Sequence, residues 1–170
     1  MSATLFERIR AAFWLRRCES VGADAVLYGR PTVLPGGGRI LIGARFRFAS
    51  RPISSHLDAG PDAILEIGDD VWIGHGAAIA AHERVTIGAG TRIGPFVIIM
   101  DTNFHGSGSQ SVYHDCRPVV IGRGCRIGSR VTITRGAMIG DGAIIDSGSV
   151  VTADIPAGAR AAGAPATVLA

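Results

Sequence analysis

Few groups in this 170-residue chain can do chemistry. It holds five histidines (His56, His75, His82, His105 and His114) and three cysteines (Cys18, Cys116 and Cys125). An imidazole titrates near neutrality, so it can take a proton from a hydroxyl that is otherwise a poor nucleophile. His105 is the candidate for that work, because it stands at the start of a polar Gly- and Ser-rich segment with Asp101 four places before it. Asp101 either orients the imidazole, touches an acceptor, or is a turn residue. His114 is a lesser candidate, as a substrate contact, and His75 and His82 read as surface residues. No Ser-His-Asp or Cys-His arrangement is evident. His75 and His82 are seven apart and His105 and His114 nine, which are not zinc-ligand spacings, so no metal is expected. The cysteines lack a C-x-x-C spacing, and their odd number fits free thiols in a reducing, cytoplasmic setting.

What must position His105 is a period of six. Ile121, Ile127, Ile133, Ile139, Ile145 and Val151 recur at every sixth place. Ile67, Ile73 and Ile79 form an earlier run, and after a slip of two residues Ile87, Ile93 and Ile99 form another. Such a period is neither that of a helix nor that of a simple strand. It fits short β-branched strands separated by Gly, Asp or Thr corners. Three hexapeptides close one triangular coil of eighteen residues, and coils must stack into parallel sheets because one repeat cannot bury its apolar face alone. With 47% hydrophobic residues but only 6% aromatic ones and 24 glycines, the core is expected to be thin and regular.

The chain reads as a single domain, residues 1–170. Residues 4–17 are expected to form a helix whose Leu5, Ile9, Ala12 and Phe13 face, with Phe6 beside it, caps the first coil. Arg8, Arg10, Arg16 and Arg17 keep a second reading open, a basic amphipathic helix touching a membrane surface. Residues 21–60 look like degenerate coils built on Val33, Ile40 or Ile42, Phe46 and Phe48; residues 62–155 are regular coils with a projecting loop at 101–118. Residues 156–170 form a C-terminal cap in which Pro156 and Pro165 stop strand pairing. No stretch is long and apolar enough to span a membrane, and no secretory signal is expected. The net charge of +3 fits an anionic ligand only weakly. The arginines are dispersed without interleaved aromatics, so no nucleic acid is expected.

The stretch Val119–Leu169, "VVIGRGCRIGSRVTITRGAMIGDGAIIDSGSVVTADIPAGARAAGAPATVL", resembles the hexapeptide-repeat acyltransferases, in particular the maltose, galactoside and nodulation-type sugar O-acetyltransferases. "LEIGDDVWIGHGAAI" and "MDTNFH" are similar too, the latter to the Asp-x-x-x-His of polysaccharide and antibiotic O-acetyltransferases. The resemblance covers residues 62–169 and implies an all-β, left-handed parallel β-helix, an exception to right-handed crossovers. It implies a homotrimer with active sites between subunits, acetyl-CoA as co-substrate without a metal, and direct attack by a sugar hydroxyl with His105 as general base. By position it makes Ser129 an oxyanion donor, Ser147 and Thr152 pantetheine contacts, and Arg160 a phosphate contact. The chain departs from the family's pattern at Ala153, where a lysine is common, and at Arg126 and Arg135-Gly136, where an aromatic and Pro-Gly are usual. Arg126 and Arg135 either replace the missing charge or bind an anionic acceptor. Two other readings stay open: a solenoid that has lost catalysis, and a γ-carbonic-anhydrase-like metal protein.

Overall fold

The structure, a computed structural model, describes residues 4–103 and 115–170. The chain winds through three parallel sheets in turn, so each coil is a triangle with one strand on each side. The first sheet takes Ser20–Val21, Arg39–Ile42, Ile64–Ile67, Arg84–Ile87, Val119–Ile121 and Met138–Ile139. The second takes Val26–Gly29, Arg47–Ser50, Trp72–Ile73, Arg92–Ile93, Arg126–Ile127, Ile144–Ile145, Arg160–Gly163 and Ala166–Val168. The third takes Thr32–Pro35, His56–Ala59, Ala78–Ala81, Ile98–Met100, Thr132–Ile133 and Val150–Val151. Six coils result, and a seventh begins where Ile155 bridges to Ile139.

All twelve aliphatics of the six-residue period point inward and are buried. Two places before most of them, a smaller residue also points inward; Val71, Ala77, Cys125, Ala137 and Ala143 are examples. This pairing of one large and one small inward residue per side fills a triangle too narrow for rings. Phe46 and Phe48 are the exception and lie tilted against each other near the wider N-terminal end. The polar inward residues are satisfied: the Thr91 hydroxyl donates to the Gly122 carbonyl at 2.8 Å and accepts from the Cys125 N–H.

Glycine follows the aliphatic because coils touch there. The Gly128 N–H donates to the Ile145 carbonyl one coil on, at 2.8 Å. A Cβ on Gly128 would lie 2.5 Å from the Ser147 nitrogen, so no other residue fits without displacing that coil.

The coils of residues 21–60 are regular in strand and irregular only at corners. Val33, Ile40, Ile42, Phe46 and Phe48 are all buried, so both Ile40 and Ile42 point inward. Eighteen residues separate paired positions in the last two coils, such as Arg126 and Ile144. Twenty separate Trp72 from Arg92 and twenty-five Arg47 from Trp72. The extra residues sit at corners, which hides the period without disturbing the sheets.

Two expectations are corrected. The N-terminal helix, α1 (Leu5–Trp14), does pack on the first coil, but through Ala11, Trp14 and Leu15. The expected face is turned outward: Leu5 is 71% exposed, Phe6 78%, Ile9 56% and Phe13 57%. In this orientation Arg8 pairs with Asp24 and the Arg10 guanidinium donates to the Leu27 carbonyl. At the other end strand pairing does not stop. Arg160–Gly163 pairs in parallel with Ile144–Ile145, and Ala166–Val168 pairs back antiparallel to it. Pro156 follows the bridging Ile155 and Pro165 lies between the two final strands, so neither ring removes a needed donor. The hairpin ends the second sheet in an antiparallel edge.

The inward and outward positions carry a direct test. Leu65→Ala, at a fully buried site, is expected to lower stability to urea by about 2–5 kcal/mol. Met138→Ala, on the exposed side of the same sheet, should change it by less than about 0.5 kcal/mol.

Candidate active site

The corner from the third sheet to the first carries the one long interruption. In the third coil it runs through Ala81, His82 and Glu83, and in the fourth it opens at Asp101 and closes at Pro118. His105 and His114 fall outside the described residues. The two ends of the loop are tied together: the Arg117 N–H donates to the Asp101 carbonyl at 2.9 Å, and Arg135 from the coil below pairs with Asp115.

Asp101 is fully buried. Its Oδ1 accepts the His82 N–H at 2.8 Å, and its Oδ2 accepts those of Glu83 and Arg84, both at 2.7 Å. A carboxylate holding three N–H groups of the preceding corner fixes the root of the loop; within one chain it has no exposed surface with which to meet an acceptor. His82 is not a surface residue as expected. Its side chain is only 6% exposed and its Nδ1 stands 3.8 Å from Asp101 Oδ1. The loop root needs depth at this corner, and the imidazole fills it under Gly60.

The other candidates divide between two corners. Ser129 and Ser147 stack on the corner from the second sheet to the third, where the Ser129 N–H donates to Ser147 Oγ at 3.0 Å. The Ser129 hydroxyl makes no hydrogen bond to a described residue and stays available. Arg160 stands beside Ile144 on the second sheet, where its Nε bonds both carboxylate oxygens of Asp146 at 3.0 and 3.2 Å. Thr152 is elsewhere. It follows Val150–Val151 on the third-to-first corner, in the column that roots the loop. The width of the third sheet, on the order of 15 Å at ~3.3 Å per residue, parts it from Ser129 and Ser147.

Beside the Ser129 and Ser147 corner the second sheet bears an open groove of about 620 Å³, running from Trp72 past Arg92 and Arg126 to Ile144 and Ser147. It follows the solenoid axis over four coils, about 15 Å at ~4.8 Å per strand. Its corner edge is made by Gly94, Gly128 and Ser147, so a slender chain can lie against backbone. Arg92 and Arg126 face each other in register. Like charges so placed repel each other. Neither has a carboxylate or hydrogen-bond partner among the described residues. Arg135, by contrast, is committed to Asp115.

Sequence reasoning missed Trp72 and Arg92. Each directly precedes an Ile-Gly, as Arg126 does, and that outward place was their signal. It missed the beginning of the same corner column as well. Phe96 and Arg130 hold φ of 59° and 56°, where the coils around them have Gly76 and Gly148. The Arg130 guanidinium lies 5.5 Å over the Phe96 ring, and His75 meets that ring edge-on at 5.0 Å. His75 is half-buried, and its buried Nδ1 has no partner among the described residues. His75 and His82 occupy different corners, and no group of three metal-binding side chains forms among the described residues.

The chain matches the family model described as the hexapeptide repeat of succinyl-transferase over residues 118–153. It is 32% identical to WbbJ of Escherichia coli (strain K12), by name an O-acetyl transferase of lipopolysaccharide biosynthesis, covering 82% of this chain and 75% of that one. It is 34% identical to the galactoside O-acetyltransferase of the same organism over 62% of its length, spanning about half (53%) of that relative. Among solved structures it resembles the N-acyltransferase AntD of Bacillus cereus, in complex with dTDP-4-amino-4,6-dideoxyglucose and coenzyme A. The TM-score is 0.76 at 17% identity, covering 99% of this chain and 90% of that one. It is also similar to galactoside acetyltransferase in complex with coenzyme A, with TM-score 0.65 and 26% identity, covering 99% and 72%. The fold shared with them is the left-handed parallel β-helix.

Asp101→Asn should lower stability by at least about 3 kcal/mol, because an amide cannot accept three N–H bonds and leaves buried donors unpaired. Urea unfolding of the free protein reads this; an Asp101 that served only to touch an acceptor would leave the midpoint unmoved.

Proposed function

The chain belongs to the hexapeptide-repeat acyltransferases of the sugar O-acetyltransferase type, and on that premise we propose that it moves an acetyl group from acetyl-CoA to a saccharide hydroxyl. The observation that carries the proposal is the groove on the second sheet, long, narrow and edged by Gly94, Gly128 and Ser147. A linear pantetheine arm fits the part of this edge from Gly128 to Ser147. In this reading the thioester lies at Ser129, and the donor extends past Ser147 toward Arg160 and the C-terminal end.

His105 takes the proton of the acceptor hydroxyl while its oxygen attacks the thioester carbonyl. The Ser129 hydroxyl donates to the oxyanion of the tetrahedral intermediate. Collapse breaks the carbon–sulfur bond, leaving an acetyl ester, and the imidazolium returns its proton to the thiolate to give free CoA. Asp101 acts at a distance in this scheme, by holding the root of the segment that carries His105.

The site is completed by a second copy, in a homotrimer. The column with Asp101 and Thr152 and the column with Ser129 and Ser147 are on different corners of one chain. The outward side of the third sheet between them is free of charge from the third coil on, with Ala78, Ile98, Thr132 and Val150 in register. Packing that side against a neighbour brings one chain's loop to another's groove. A cytoplasmic setting is part of the reading and is supported by three cysteines that form no disulfide. The outward apolar face of α1, with Arg16 lying 4.2 Å over the Phe13 ring, supports peripheral contact with an acidic membrane surface.

His105→Ala is expected to cut acetyl-CoA turnover by about 10²–10⁴-fold, and thiol release against hydroxylated acceptors measures it. Unchanged turnover would sink the assigned base. The native mass should be three times the 17.6 kDa of one chain by light scattering. Mixing inactive His105→Ala with inactive Ser129→Trp subunits should restore about a quarter of the sites, since each site then draws its two halves from different chains; no recovery means each chain forms its own site.

A further inference from the structure

The groove carries two arginines that no described residue pairs with, and this points to the acceptor. The outward ladder of the second sheet reads Arg47, Trp72, Arg92, Arg126, Ile144, Arg160 in continuous parallel register. Its two end arginines have partners. Arg47 donates to the Tyr28 hydroxyl at 3.2 Å and acts on the Asp70 carboxylate, whose pKa it helps to lower after Arg45. Arg160 is held by Asp146, whose charge raises its pKa. The two in the middle, Arg92 and Arg126, are exposed and have neither an ion pair nor a hydrogen bond among the described residues. Asp146 borders the same groove, but both its oxygens are turned to Arg160.

Two arginines rooted in register on adjacent strands, with backbones ~4.8 Å apart, can converge on the oxygens of one carboxylate or phosphate. The donor does not supply that anion. With the thioester at Ser129, its phosphates lie toward Arg160, whereas Arg92 is one coil the other way and Trp72 two. A neutral pantetheine arm at Arg126 would leave the pair repelling. Trp72, half-buried and next in the ladder, offers an apolar ring face of the size of a pyranose.

We infer that the acceptor is an acidic saccharide, whose carboxylate or phosphate is gripped by Arg92 and Arg126 while its ring rests on Trp72. This rests on the acetyl-transfer reading above and adds the substrate class to it. Arg92 is then a specificity-determining residue, and its effect is confined to the acceptor.

The test compares three acceptors of similar size: a glucuronide, a sugar phosphate and a neutral galactoside. Each is titrated calorimetrically into the CoA-saturated protein and assayed for thiol release, in wild type, Arg92→Gln and Arg92→Lys. One acidic acceptor should bind at least about tenfold tighter than the neutral one, and which acid wins separates carboxylate from phosphate. Arg92→Gln should raise its KM by about 10- to 100-fold, leave the KM for acetyl-CoA within about twofold, and be partly rescued by Arg92→Lys. Equal binding of the neutral galactoside overturns the inference, as does an Arg92→Gln effect on acetyl-CoA alone. Failure to bind CoA or release thiol with any acceptor counts against the acetyl-transfer reading. The acidic-saccharide inference then stands or falls on whether the calorimetric preference exists and depends on Arg92.

Discussion

Each coil of this protein is held only by the coil before it and the coil after it. The parallel hydrogen bonds run between coils, and the inward side chains of one coil pack on those of the next. A single coil has three short strands and no partner for its N–H groups or its apolar side, so it has no stability of its own. Every other feature follows from that stacking. The strands must keep register, the corner glycines must let coils touch, and each exposed end needs a cover. Here α1 covers one end and the terminal hairpin finishes the other.

Corners are where the stacking leaves freedom, and they are also where it must be reinforced. Side chains from one coil reach back to N–H groups on the corner before: Asp69 to Ala44, Asp141 to Arg123, Ser147 to Ser129, Asp154 to Met138. Asp101 is the strongest of these staples, with three N–H groups instead of one. It stands where the six-residue period is interrupted for longest. The root of that interruption is tied to the corner above, and its two ends are tied to each other.

The same geometry separates the candidate residues. A triangular coil places Asp101 and Thr152 at one corner and the groove beside another, with the third sheet between. The charges are sorted as well. Arg45, Arg39 and Arg160 are each paired with an acid, while Arg92 and Arg126 in the groove have no partner among the described residues. Surface pairs of the first kind contribute little to stability. The unpaired ladder is a cost to the fold that a bound anion would offset.

The sequence by itself determined the coil. The twelve aliphatics in steps of six gave the inward side, since only inward residues must be apolar at every turn, and all twelve are buried. It also located the interruption after Ile99, because a break in a period is a local signal. What it could not decide is which corner a residue occupies once insertions have shifted the count. Thr152 and Ser147 are five apart in sequence and lie on different corners, and Trp72, Arg92 and Arg126 are far apart in sequence and lie in one ladder. The orientation of α1 was equally out of reach, since both its sides are apolar and only the fit of Ala11, Trp14 and Leu15 on the first coil distinguishes them. Asp101 was legible as important and not as buried, because its three donors come from a corner some twenty residues earlier. Periodicity fixes which way a side chain points; only stacking decides which other side chains it meets.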